Sequence, residues 1–141
     1  MATQTFQIWR GQGGQGRFQE YRTEVSEGMV VLDAVHAIQA KQATDLACRW
    51  NCKSGKCGSC SAEINGKPRL MCVTRMNNFI PGETITIAPL KTYPLIRDLV
   101  TDVSWNFRMK KTVRKFRPRA PDAPDGTWRM AQSDVDRVQE F

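Results

Sequence analysis

Phe6 and Ile8 alternate with polar neighbours over residues 5–10, and Trp9 adds to the apolar content; this pattern predicts a strand. Residues 17–25 (Arg17-Phe-Gln-Glu-Tyr-Arg-Thr-Glu-Val25) predict a second strand, with a glycine-rich turn between the two. Leu32, Val35 and Ile38 then recur at helical spacing, supported by Ala34, Ala37 and Ala40, and predict a helix over residues 31–41. Leu46, Cys48 and Trp50 alternate, as a short strand leading into a loop would. Residues 61–64 and 69–73 flank Asn65-Gly66, a strong hairpin signal. After the turn at Pro81-Gly82, residues 84–88 (Thr-Ile-Thr-Ile-Ala) predict one more strand. Two hairpins, one helix and a late strand make an α+β fold, a small mixed sheet wrapped over a helix.

From Pro94 the pattern changes. Pro94 suits the first position of a helix. Leu95, Ile96, Leu99, Val100 and Val103 give one apolar face, so a helix is predicted over residues 94–109. A basic run follows, from Arg108 through Lys110, Lys111, Arg114, Lys115 and Arg117 to Arg119. Pro118, Pro121 and Pro124 keep the chain extended down to a turn at Asp125-Gly126. Ser133 is placed to cap a last helix that carries Val135, Val138 and Phe141 on one face. This divides the chain into a first domain, residues 1–92, and an extension, residues 93–141, made of a helix, a basic Pro-rich linker and the start of a further helical domain.

The turn Gly11-Gln-Gly-Gly-Gln-Gly16 spells G-x-G-x-x-G, and Asp33 follows at a suggestive distance. That fingerprint binds a pyrophosphate only if a helix opens directly after the glycines. Here a strand follows, so the stretch reads as a hairpin turn. The net charge of +7 leaves a solvated basic surface and a partner-docking face equally open. No recognition motif for nucleic acid accompanies it. No apolar run approaches the roughly 20 residues that span a bilayer, and Met1-Ala-Thr-Gln-Thr-Phe6 has neither the basic nor the apolar region of a signal peptide.

Chemistry concentrates in Cys52-Lys-Ser-Gly-Lys-Cys57-Gly-Ser-Cys60, followed after eleven residues by Cys72. An odd number of clustered cysteines without an export signal argues for a metal site in a reducing compartment rather than a disulfide scaffold. The spacing C-x4-C-x2-C, completed by a distant fourth cysteine, is the run that holds a 2Fe–2S cluster in plant-type ferredoxins. Cys52, Cys57, Cys60 and Cys72 are therefore the candidate cofactor and metal ligands, with no catalytic residue beside them. Four thiolates carry more negative charge than an oxidised core offsets, and reduction adds another. Gly55 and Gly58 allow backbone N–H groups to turn toward sulfur, and Arg49, Lys53, Lys56 and Arg69 flank the site in sequence. A structural zinc usually takes two C-x2–4-C pairs, and only one C-x2-C pair exists here. Cys48 falls outside the loop spacing and reads as a small buried apolar residue. His36 reads as a surface residue on the helix flank.

The gap to the fourth cysteine is much shorter than in plant-type ferredoxins. It resembles two other groups, the iron–sulfur subunits of succinate dehydrogenase and fumarate reductase and those of molybdenum hydroxylases. Arg49-Trp-Asn-Cys52, Cys57-Gly-Ser-Cys60-Ser-Ala, Ile64-Asn-Gly66 and Cys72 resemble the cluster loop and hairpin of the first group. Thr92-Tyr-Pro-Leu-Ile-Arg-Asp-Leu99 is similar to the stretch after its ferredoxin-like domain, and Val31-Leu-Asp-Ala34 to its helix start. The resemblance implies a ferredoxin-like β-grasp domain that takes electrons from the flavin of a partner flavoprotein subunit and passes them toward further iron–sulfur clusters and quinone. It also implies a peripheral place on the inner, cytoplasmic face of the cell membrane, with membrane-anchor subunits reached through a C-terminal helical domain. No cysteine follows Cys72, so that second cluster domain is expected to be missing and the chain to be the N-terminal part of a longer protein. A molybdenum hydroxylase subunit and a zinc-stabilised binding module remain the alternatives.

Overall fold

Strand β1 (Ala2–Gln12) buries Gln4, Phe6 and Ile8 on one face and leaves their neighbours more open, as a half-buried strand must. A computed structural model describes residues 2–139. β1 turns through Gly13 and Gly14, both with positive φ, into β2 (Gln15–Val25), and the two pair antiparallel from Ala2–Val25 to Gln12–Gln15. Two left-handed residues between strands are what a tight hairpin requires. A strand follows the glycines, which disposes of a pyrophosphate site there. Gly16 is glycine for a different reason: a Cβ would sit 2.6 Å from the Trp9 ring and 2.7 Å from the Arg10 carbonyl.

Helix α1 (Val31–Lys41) follows, and its first turn is fixed by Asp33, whose carboxylate accepts the Val30 N–H at 3.1 Å. It buries Val31, Leu32, Ala34, Val35 and Ile38. The second hairpin is β3 (Ser61–Ile64) with β4 (Lys67–Leu70). A 3-10 turn (Met76–Asn78) leads to β5 (Thr84–Ala88), which enters the sheet between β1 and β3. The order is β2-β1-β5-β3-β4, with β1 and β5 parallel and the other pairs antiparallel. Phe6, Ile8, Ile64, Ile85 and Ile87 of the sheet meet α1 in one core. Burying each such side chain contributes roughly 1.5–3 kcal/mol, against roughly 0.5–1.5 kcal/mol net for a hydrogen bond. The sheet–helix contact is therefore the frame from which the cysteine loop hangs.

Several expectations need correction. Residues 46–50 form no strand; they run without regular structure between α1 and the cysteine loop, because they bond to residues 98–101 instead of to the sheet. The second arm of the hairpin spans Lys67–Leu70, and Cys72 lies in the turn beyond it.

The largest departure is the helix expected over residues 94–109. In its place stand β6 (Leu95–Arg97) and β7 (Val100–Thr101), an antiparallel pair, and then α2 (Ser104–Thr112). Asp98, with φ +49°, turns the corner and is only 2% exposed. Its carboxylate accepts the Gly11 and Ala47 N–H groups and pairs with Arg10 and Arg97. A straight helix cannot deliver one carboxylate to four such partners, so tertiary bonding overrides the apolar periodicity. One compact unit reaches Phe107.

The second unit starts at Arg108. Its Pro-rich stretch folds back on itself: Asp122 N–H donates to the Thr127 carbonyl (2.9 Å) and Trp128 Nε1 to that of Arg119 (2.8 Å). α3 (Gln132–Val138) has Ala131 as its N-cap, so Ser133 lies inside the first turn instead of capping it. Phe141, expected on its apolar face, lies outside the described residues.

Candidate metal centre

The cysteine loop is built by left-handed residues. Lys53, Gly55 and Gly58 have φ of +54°, +70° and +74°. Interspersed with residues of negative φ, they turn N–H groups toward one side, a concavity suited to negative charge. Cys52 Sγ sits in it, accepting the N–H groups of Ser54 (3.4 Å), Lys56 (3.3 Å) and Cys57 (3.3 Å). Cys57 Sγ accepts the Ser59 N–H at 3.4 Å. These donors, that of Ser54 first, hold the Cys52 thiol down at about 5, and the Ser59 hydroxyl and backbone lower that of Cys57.

Cys60 ends the loop, and β3 begins at the next residue. The hairpin then returns Cys72 to its side, where the Cys72 N–H donates to Cys60 Sγ at 3.4 Å and Met71 N–H to the Cys60 carbonyl at 3.2 Å. Both cysteines are buried, whereas Cys57 is exposed and Cys52 half-buried. Burial pushes the Cys60 thiol up. The N–H···S bonds thus group the four cysteines as an outer pair, Cys52 with Cys57, and an inner pair, Cys60 with Cys72.

Cys48 packs against the core, and burial drives its thiol up to about 12. No thiolate is available there at neutral pH. His36 stands edge-on to Trp50, ring centroids 5.0 Å apart, and Lys53 Nζ lies 4.8 Å over that indole. Burial, then Lys53, lowers the His36 imidazole. Arg49 reaches away from the cysteines to the Thr101 carbonyl (3.1 Å). Of the flanking cations, then, two are engaged elsewhere, and backbone amides are the donors that meet sulfur. Sequence reasoning missed Asp98; its signal was a charged pair, Arg97-Asp98, set between the apolar pairs Leu95-Ile96 and Leu99-Val100.

Among the described residues, no three His, Cys, Asp or Glu side chains stand close enough to hold one metal ion. A structural zinc needs four ligands on a single ion. A 2Fe–2S cluster spreads its four thiolates over two irons, and a donor set grouped as two pairs fits that demand.

Fold and loop define a small iron–sulfur module, and the comparisons agree. The chain matches the 2Fe-2S iron-sulfur cluster binding domain over residues 5–108 and belongs to that family. Its cofactor is a 2Fe–2S cluster. It is 32% identical to the fumarate reductase iron-sulfur subunit of Mycobacterium tuberculosis, over 88% of this chain and 51% of that protein. Identity is 30% to a mitochondrial succinate dehydrogenase iron-sulfur subunit of Oryza sativa, over 97% of this chain and 50% of that one. A chain of the Mycobacterium smegmatis Sdh1 complex in the apo form shares 52% identity at TM-score 0.80, covering 99% of this chain and 58% of that chain. The chain spans about half the length of the curated relatives it matches.

Proposed function

We propose that this chain is the electron-relay module of a succinate dehydrogenase or fumarate reductase, with Cys52, Cys57, Cys60 and Cys72 as its cluster ligands. The observation that carries the reading is the convergence of N–H donors on the sulfurs of Cys52, Cys57 and Cys60, the last of them donated by Cys72 itself, built by one loop and one hairpin. When bound, a 2Fe–2S cluster accepts and returns single electrons. The protein's part is electrostatic. The amides of Ser54, Lys56, Cys57 and Ser59 stabilise the extra negative charge that reduction places on the outer sulfurs. The inner pair, buried against the hairpin, shields the other side from water.

The donor in this reading is the flavin of a flavoprotein subunit, and the acceptors are further iron–sulfur clusters and then quinone. Likeness to the named subunits supports it. Among the described residues no helix is long and apolar enough to cross a membrane; the proposed place is peripheral, on the inner face of the cell membrane, through anchor subunits. Anaerobic purification tests the core of the proposal. The expected protein is red-brown, with two irons and two acid-labile sulfides per chain in the cluster described; colourless protein with stoichiometric zinc would overturn it.

A further inference from the structure

Residues 43–51, which lead into Cys52, belong to no helix or strand. Their course must be set from outside. Gln39 Nε2 donates to the Leu46 carbonyl at 2.7 Å. Three further bonds come from one short element, the β6–β7 hairpin. Asp98 Oδ2 accepts the Ala47 N–H at 2.8 Å, Leu99 N–H donates to the Ala47 carbonyl at 3.2 Å, and the Thr101 carbonyl accepts Arg49 Nη1 at 3.1 Å. The same Asp98 is anchored to the frame, since its Oδ1 accepts the Gly11 N–H at 2.9 Å and its own N–H donates to the Gly11 carbonyl at 2.8 Å. Arg10 Nε and Arg97 Nε, at 3.2 and 3.6 Å, offset its buried charge. Both guanidinium groups also reach Asp45, which lies on the same segment.

We propose that Asp98 is a positioning residue for the cluster: its carboxylate clamps the segment before Cys52 to the end of β1, and so fixes where the outer pair of thiolates stands. It touches no sulfur and acts through Ala47. The chemistry requires a carboxylate. Both oxygens accept backbone N–H groups, so an asparagine would turn its NH2 toward one of them, donor against donor. It would also leave Arg10 and Arg97 short of a buried counter-charge.

This inference rests on the cluster reading, and the test separates the two. Wild-type chain, Asp98→Asn and a core truncation in β5, Ile85→Val, are purified anaerobically with cluster bound. Each is reduced with dithionite for its electron paramagnetic resonance spectrum, and timed for loss of iron to a chelator. Asp98→Asn should shift the g-values and release iron on the order of tenfold faster, the scale of a lost hydrogen bond to a charged group. Ile85→Val should match wild type in both. Unchanged g-values and release in Asp98→Asn would overturn the proposal, and so would an equal change in Ile85→Val, which would mark the effect as general loss of stability. If Asp98→Asn does not accumulate as folded protein, hydrogen exchange of wild type decides. An Ala47 amide as slow as that of Ile8 supports the clamp, and one as fast as an open loop amide overturns it. Wild type without iron sinks the cluster reading and this proposal with it, whereas loaded wild type with an indifferent Asp98→Asn sinks this proposal alone.

Discussion

The two halves of the cysteine site solve the same problem in opposite ways. Cys52 and Cys57 lie near solvent, and amides turned inward at left-handed residues lower both thiols. Cys60 and Cys72 are buried beside the hairpin, with a single N–H···S bond between them. The outer half is organised by loop backbone and is ready before a metal arrives. The inner half is organised by packing, and its Cys60 thiol resists ionisation until a metal takes its proton's place. In the proposed site a single residue type thus does two jobs, receiving charge on one side and anchoring the cluster to the fold on the other.

The hardest test of this division asks whether both halves are needed. Cys57→Ala should abolish the visible absorption and the bound iron entirely, although it removes only an exposed side chain. Cys48→Ala should keep both, since that thiol is packed against the core and held protonated to about 12. Bleaching by Cys48→Ala, measured by absorbance and iron content, would break the pairing and bring the fifth cysteine into the ligand set.

Thiol reactivity in the metal-free chain shows the contrast directly. The thiolate is the nucleophile, and the Cys52 value is lowered to about 5. Its alkylation by iodoacetamide should therefore be near maximal at pH 7 and fall only as the pH drops through about 5. Cys57, lowered by its own donors, should follow, and Cys60, raised by burial, should lag behind both. Cys48 should stay almost unlabelled until the pH nears 12. Mass spectrometry of the labelled peptides reads the order; equal rates for Cys52 and Cys60 would erase the distinction between the halves.

Gly58 probes the outer half by backbone alone. Its φ is +74°, and a Cβ there would meet nothing within 4 Å. Gly58→Ala therefore isolates conformational strain, about 1–2 kcal/mol. Iron should be lost to a chelator roughly tenfold faster, with the sheet's thermal unfolding little changed. Gly55→Ala adds a contact of 3.1 Å with Val73 Cγ1 and should be worse. A Gly58→Ala chain that holds iron as firmly as wild type would show that the turned amides do not organise the site.

Most of this was legible in the chain because the signals were local. The first hairpin, α1 and β5 follow from side-chain alternation and helical spacing over a few residues. Spacing alone singles out four cysteines, and the structure sets Cys52 beside Cys57 and Cys60 beside Cys72. The misreading at residues 94–109 had the same source. Leu95, Ile96, Leu99 and Val100 satisfy a helix and a tight hairpin alike, and the choice is made by Asp98 reaching Gly11 and Ala47, residues 87 and 51 positions away. No periodicity records a bond of that range. Residues 46–50 failed for the matching reason, as the other end of the same bonds. The asymmetry of the cysteines was hidden too, since burial depends on where the hairpin lies and not on the spacing of its ligands.

The smallest expected effect tests what the outer donors do once electrons arrive. Ser59 offers Cys57 its N–H at 3.4 Å, and its hydroxyl also lowers that thiol. Ser59→Ala keeps the amide and removes the hydroxyl. A hydrogen bond is worth roughly 0.5–1.5 kcal/mol net, and for one electron about 1.4 kcal/mol corresponds to 59 mV. The midpoint potential should therefore become more negative by about 20–60 mV, because the reduced state carries the extra charge and loses more when a donor goes. Anaerobic redox titration followed by electron paramagnetic resonance measures it. A matched loss on the inner side, Thr74→Val, removes the hydroxyl that donates to the Leu70 carbonyl at 2.8 Å and touches no sulfur. It should leave the potential in place. If both variants shift the potential alike, the outer sulfurs are not the side on which the chain stabilises added charge, and the two halves differ in burial alone.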